Sequence, residues 1–180
     1  MIQLRRAVAG DAAAIGAVHV ASWRSAYAGI LPEAYLAGLS AIRHAAYYEQ
    51  AIRANALVHV AVSPAAAGVR RVVGFVTAER TRPHALAEGE IETLYVLDDW
   101  REQGIGRRLM QIAAQALQAA GCHSAYLWVL RDNPSRWFYA HLGGQPVAQG
   151  ETQVAGAWIA KTAYLWDPID KLVPASSATS

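Results

Sequence analysis

The apolar positions change period several times along the chain. Residues 2–7 read as a short strand that ends at Gly10-Asp11, where Asp11 can cap a following helix. Ile15, Val18 and Ser22 then recur at helical spacing through Trp23, until Gly29-Ile-Leu-Pro32 breaks the pattern. A second helical region is predicted from Pro32 to Ala54, interrupted near 38–40, with Ser40 capping its second half. The apolar, β-branched run at 57–62 predicts a buried strand. A turn at 65–70, a longer strand at 72–80, a loop at 82–89 and a strand at 90–97 follow. Ile105, Leu109, Ile112, Ala116 and Leu117 then mark one face of an amphipathic helix, which Gly121 stops. A strand at 125–130 precedes a short helix, expected to start with Asn133 as cap and Pro134 at the first position and to end at Gly143-Gly144. Segments 146–151 and 158–165 look like an antiparallel pair joined across 154–156. The Pro, Ser, Ala and Thr that follow Asp167 predict a flexible tail over 167–180, behind a single domain over 1–166.

Strands flanked by helices, closed by a strand pair, predict an α+β (mixed α/β) sheet with helices on both faces. Composition narrows the class without naming a function. The 54% apolar share over 180 residues supports a packed core, and a net charge of +2 is too small to argue for a nucleic-acid partner. One cysteine, Cys122, excludes an internal disulfide framework, and the spacing of the six histidines suggests no metal site. No apolar run approaches the roughly 18 residues of a membrane span, and the basic pair near the start lacks the apolar stretch of a signal peptide. A cytoplasmic protein without a membrane or nucleic-acid partner is expected.

The informative stretch is Leu94-Tyr-Val-Leu-Asp-Asp-Trp-Arg-Glu-Gln-Gly-Ile-Gly-Arg-Arg-Leu109, a strand that turns through glycines into a helix. Free amides and the positive end of a helix dipole then face one point, which suits phosphate. Gly104 and Gly106 leave room for an anion to approach the main chain. Arg101, Arg107 and Arg108 sit where cations oppose the dipole by roughly 0.3–1 kcal/mol each, a liability that a bound polyanion reverses. No Lys follows the glycines as a P-loop requires, and Leu109 stands where a dinucleotide fingerprint has its third glycine. A coenzyme diphosphate whose reactive arm lies along the preceding strand is the third alternative.

At these residues the chain resembles the GNAT superfamily of acyl-CoA N-acyltransferases. Arg101-Glu-Gln-Gly-Ile-Gly106 matches the family's Arg/Gln-x-x-Gly-x-Gly/Ala motif, preceded by Leu94-Tyr-Val96. Asn133-Pro-Ser-Arg-Trp-Phe-Tyr139-Ala-His-Leu-Gly143 resembles the second family motif, and Ser22-Trp-Arg-Ser-Ala-Tyr27-Ala-Gly-Ile-Leu-Pro32 the acceptor-side helices of bacterial members. Gly144 departs from the pattern, because the family usually has an aromatic residue there, and its loss could loosen the last helix–strand junction.

The resemblance implies a largely antiparallel mixed sheet of six to seven strands, with two parallel strands splayed at the coenzyme site. It implies acetyl-CoA as co-substrate, no metal, and direct transfer to a primary amine in a ternary complex. On the cofactor side it places Arg101, Gln103, Gly104, Ile105, Gly106 and Arg107 at the pyrophosphate and the main chain of Leu94, Tyr95 and Val96 along the pantetheine arm. Asn133 and Arg136 join them. Val96 and Trp128 flank the thioester, and an amide near the family's strand bulge serves the oxyanion. Tyr139 is the expected general acid toward the leaving thiolate, because a phenol of pKa ~10 still carries its proton at neutral pH. Glu90 and Glu92 are both held as candidate bases, since a regular strand sets Glu90, Glu92, Leu94 and Val96 on one face. Trp23, Tyr27 and Trp128 are candidates for the acceptor pocket. A small cationic amine or a peptide amine is the expected acceptor, and homodimers are common in the superfamily. A CoA-binding sensor without turnover is the rival reading, and nucleotide binding at a dinucleotide-type turn a third.

Overall fold

The computed structural model describes residues 1–64 and 69–173. Among these residues seven strands form one sheet: β1 (Gln3–Arg6), β2 (Leu57–Val62), β3 (Val72–Arg80), β4 (Gly89–Val96), β5 (Ala125–Leu130), β6 (Gln145–Val154) and β7 (Ala157–Trp166). Their spatial order is β1-β2-β3-β4-β5-β7-β6, and only β4 and β5 run parallel. The helices are α1 (Ala12–Ala26), α2 (Glu33–Ala37), α3 (Ala41–Arg53), α4 (Ile105–Ala119) and α5 (Arg136–His141). The expected α+β architecture with helices on both faces is what forms. Most of the turn expected at 65–70 lies outside the described residues, as does the tail beyond Val173.

Strand alternation sorts side chains to two cores. Val58, Val60 and Val62 of β2 and Phe75 of β3 meet Ile15, Val18 and Tyr48 of α1 and α3 on one face. Ile91, Leu127 and Val129 meet Ile105, Leu109, Met110 and Leu117 of α4 on the other. Helices α1 and α3 cross closely because residue 16 has no side chain. A Cβ on Gly16 would stand 2.5 Å from the Ala41 carbonyl oxygen and 2.7 Å from the Ala45 nitrogen. Beside this crossing, His19 and His44 stack with ring centroids 3.8 Å apart, and His19 Nδ1 lies 2.8 Å from the Tyr48 hydroxyl. Burial, with His44 nearby, pushes the His19 pKa down to about 3, so the imidazole is neutral.

Three local expectations are corrected. Asp11 stands at the N-cap position of α1 as expected, but its side chain makes no cap bond: its carboxylate accepts two bonds from Arg5, at 2.7 and 2.9 Å, and one from the Val8 N–H at 2.8 Å. An arginine fork outcompetes the helix N-terminus for this carboxylate. The short helix after β5 begins at Arg136, later than expected, because Asn133 Oδ1 accepts from the Ser135 N–H at 2.9 Å and shapes a turn instead. The start of the expected tail is also packed. Ile169 and Leu172, in a 3₁₀ turn over Ile169–Leu172, are buried in the α4 core.

The Gly144 departure has a local counterpart. Trp166 is fully buried, donates from Nε1 to the Leu142 carbonyl at 2.9 Å, and occupies the space where a Cβ on Gly144 would stand 2.7 Å from its ring. An indole from β7 thus closes the helix–strand junction in place of a side chain at 144.

Candidate active site

Strands β4 and β5 pair over two residues only, Gly89↔Ala125 and Glu90↔Tyr126, and then diverge. Beyond that point the edge of β4 has no partner strand among the described residues, so its N–H and C=O groups face an opening. A cavity of about 670 Å³ fills the opening, within the ~300–1,000 Å³ usual for small-molecule sites. Its walls are β4, β5, the N-terminus of α4, the C-terminal part of α1, α5 and the β6–β7 hairpin.

At one end lies the first turn of α4. Gly104 caps the helix in the left-handed region, with φ of 74°, which only glycine adopts without strain. The N–H groups of Ile105, Gly106 and Arg107 precede the first intrahelical bond, from the Arg108 N–H to the Gly104 carbonyl, and all three residues line the cavity. Gly106 also lies close to α5: a Cβ there would press on Phe138 at 3.3 Å. The three expected arginines separate. Arg107 lines the cavity and forms no ion pair among the described residues, and Arg101 lines it while paired with Asp98 at 2.9 Å. Arg108 turns away and donates to the Ile2 carbonyl at 3.2 Å. Gln103 and Arg136 are not part of the wall, and their side chains donate to the carbonyls of Asp99 and Arg131.

The middle of the cavity holds the aromatic groups. Tyr139 projects from α5, and its hydroxyl has no protein partner among the described residues. Burial, with Tyr95 and Tyr27 close by, raises its pKa above the ordinary phenol value, so the proton stays on. Tyr27 accepts from Asn133 Nδ2 at 2.9 Å, which ties the end of α1 to the turn before α5. Trp23 donates from Nε1 to the Tyr95 hydroxyl at 2.8 Å. Tyr27 is also core, packed with Leu31 and Leu36.

The carboxylates do not follow the simple alternation of a regular strand. The β3–β4 register passes from Ala78↔Ile91 to Thr77↔Thr93, so Glu92 is the extra residue of a β-bulge. The bulge shifts the parity of everything beyond it. Leu94 and Val96 pack toward α4, whereas Glu92 lies near Glu79, Glu90 and Tyr47 on the opposite face. The expectation that Glu90, Glu92, Leu94 and Val96 share one face is therefore corrected. Glu92 lines the cavity and Glu90 does not. Tyr126 donates to Glu90 Oε2 at 2.7 Å and holds that carboxylate beside the wall. Desolvation first, then the charges of Glu79 and Glu90, raise the Glu92 pKa above the usual carboxylate value.

Several lining residues lie outside the set expected from the sequence. Ser22 has a buried hydroxyl with no protein partner among the described residues. Thr152, Val154 and Lys161 reach the cavity from the hairpin, which borders it only because β7 inserts between β5 and β6. Leu94, Tyr95, Val96, Trp128, Trp23 and Asn133, expected at the coenzyme or the acceptor, stand in the wall. No helix among the described residues is long and apolar enough to cross a membrane.

Comparison with known proteins adds to this geometry. Solved structures share the fold along nearly the whole chain. A GCN5-related N-acetyltransferase from Rhodopseudomonas palustris superposes with a TM-score of 0.69 at 22% identity, over 92% of this chain and 94% of its own. Salmonella typhimurium yncA, solved with its cofactor acetyl-CoA, gives 0.67 at 19% identity, over 100% and 99%. The N-acetyltransferase YuaI of Bacillus subtilis (strain 168), itself uncharacterized, is 30% identical over 173 residues, 96% of each chain. Residues 20–143, which run from α1 through α5, match the acetyltransferase (GNAT) family. With two strands parted beside a glycine-capped helix and these residues matched, the chain belongs to the GNAT family of N-acetyltransferases and is an acyltransferase.

Proposed function

We propose that the protein transfers the acetyl group of acetyl-CoA directly to a primary amine bound in the same cavity, with Tyr139 as general acid and Glu92 as base. The observation that carries this reading is the convergence of three features on one space: the unpaired edge of β4, the open first turn of α4, and a phenol without a protein partner. The residues fit the coenzyme. The amides of 105–107 and Arg107 suit its diphosphate, and the edge of β4 from Thr93 to Val96 suits an amide-bearing arm laid down like an added strand. Acetyl-CoA supplies the thioester; a carbon–nitrogen bond forms and a carbon–sulfur bond breaks.

The remaining steps are proton movements by this chain. Glu92 takes a proton from the acceptor ammonium, directly or through water, and its raised pKa makes it a stronger base than an exposed carboxylate. Glu90 is held by Tyr126, and its role is that of a fixed neighbouring charge. Tyr139 gives its proton to the departing thiolate. The oxyanion is assigned to a backbone amide of the Glu92–Thr93 bulge, where the ladder to β3 is interrupted. The three nearby carboxylates favour an acceptor whose amine arrives protonated, as in a small cationic amine.

Tyr139→Phe tests the assignment. It removes the proton donor and keeps the ring, so kcat should fall by about 10²–10⁴ while acetyl-CoA binding, read by calorimetry, stays nearly unchanged. Unchanged turnover would remove Tyr139 from the mechanism.

A further inference from the structure

The wall that faces Glu92 across the splay carries a cation the transfer chemistry does not use. Lys161 of β7 stands opposite Leu130 of β5 and Gly150 of β6. Its Nζ lies 4.3 Å from the centroid of the Trp128 ring, and both side chains line the cavity. Among the described residues Lys161 makes neither an ion pair nor a hydrogen bond, although it is half-buried. The ring face satisfies part of its charge, but the ammonium keeps three N–H donors, and donors drawn out of water need acceptors.

Strand alternation sets Lys161 on the face away from the diphosphate turn. Leu127 and Val129 of β5 pack toward α4, so Trp128 between them points to the other face, with Tyr126 and its partner Glu90. Lys161 joins this face through its ring contact, while the diphosphate turn belongs to α4. The same face carries an opposite pole on β4. Glu79 and Glu90 are paired directly across β3 and β4, an arrangement of like charges that costs stability unless something cationic compensates, and Glu92 adds a third carboxylate. Glu92, with two carboxylates beside it, thus stands on one side of the opening on this face and Lys161, without an ion pair among the described residues, on the other.

From this we infer that the acceptor is an amino acid or a close analogue, a primary amine that also bears a carboxylate, with its nitrogen at Glu92 and its carboxylate on Lys161. The inference rests on the acetyl-transfer reading above and specifies its acceptor. Glu92 on β4 and Lys161 on β7 stand on either side of the opening where β4 and β5 part, and both long side chains line the one cavity, where a small zwitterion can meet the carboxylate with its nitrogen and the ammonium with its carboxylate. A diamine would bring a second cation against Lys161, and a neutral amine would leave its donors unpaired.

The test follows CoA release by the full chain with acetyl-CoA and three acceptor sets: amino acids, their α-carboxamides, and diamines of similar length. Amino acids should be the preferred set, with KM rising about tenfold or more when the carboxylate becomes a carboxamide. Lys161→Ala should raise the amino-acid KM by about 10–100-fold and close the gap to the carboxamides, with kcat and acetyl-CoA binding little changed. Lys161→Met keeps the stem over Trp128, removes the charge, and should behave the same way, which covers a fold defect in the alanine variant. Equal use of carboxamides or diamines by the parent protein, or an amino-acid KM within twofold of the parent in both variants, overturns the inference. Acetyl-CoA binding without CoA release on any small amine overturns it too and leaves the coenzyme site standing. Absence of acetyl-CoA binding overturns both readings.

Discussion

Glu92 owes its place in the cavity wall to one inserted residue. In an unbroken strand the face that holds Glu90 would also hold Leu94 and Val96, whereas those two pack toward α4. The bulge leaves Glu92 beside Glu79 and Glu90, whose charges oppose its ionisation. A base must be ionised to act, so turnover should be lost as pH falls through the raised Glu92 pKa. Glu79→Gln removes one opposing charge without touching the cavity wall. It should move the acidic limb of the kcat/KM profile to lower pH, as a full pH series on both proteins would show. A limb that stays in place, or moves upward, would mean that another group sets it. Tyr139 and Asn133 could be picked out from their motif spacing alone. Glu92 could not be separated from Glu90, because a bulge depends on the partner strand and leaves no mark on local periodicity.

Elements came through the sequence unevenly, for reasons of packing. The helix over 105–119 stands out because it buries one regular stripe of side chains, and the strand over 125–130 because it is a short, wholly apolar run covered on both faces. The start of α1 came through, although Asp11 spends its carboxylate on Arg5 rather than on a cap bond, and the start of α5 did not, because Asn133 had a second partner within reach in the Ser135 N–H. Gly16 shows the same dependence on a neighbour. In isolation, alanine there would favour the helix by about 1 kcal/mol, yet its Cβ would meet the backbone of α3. Gly16→Ala should therefore destabilise the protein, by a net of about 1–2 kcal/mol in urea unfolding, as the two helices part to admit the methyl group. A more stable variant would show that the α1–α3 crossing relaxes freely.

At the scale of the whole molecule, the sheet order assembles the site. Inserting β7 between β5 and β6 brings Lys161, Thr152 and Val154 to a cavity whose other walls come from residues 22–139. The end of the described chain also counts. Ile169 and Leu172 seal the α4 core from below, and Trp166 fills the place left open by Gly144. Leu172→Ala should lower the unfolding free energy by about 2–4 kcal/mol, since it empties a buried side-chain site that α4 cannot readily refill. A urea midpoint unchanged from the parent would mean that the chain end contributes no packing.

The sequence alone determined the succession of strands and helices, the glycine turn ahead of α4 and the family resemblance, because each is written in local spacing and backbone chemistry. Tertiary structure decided which carboxylate enters the cavity, which arginines face it, and that Lys161 stands across from Glu92. Those outcomes depend on register, on strand insertion and on competition between partners remote in the chain, and no window along a single segment contains them.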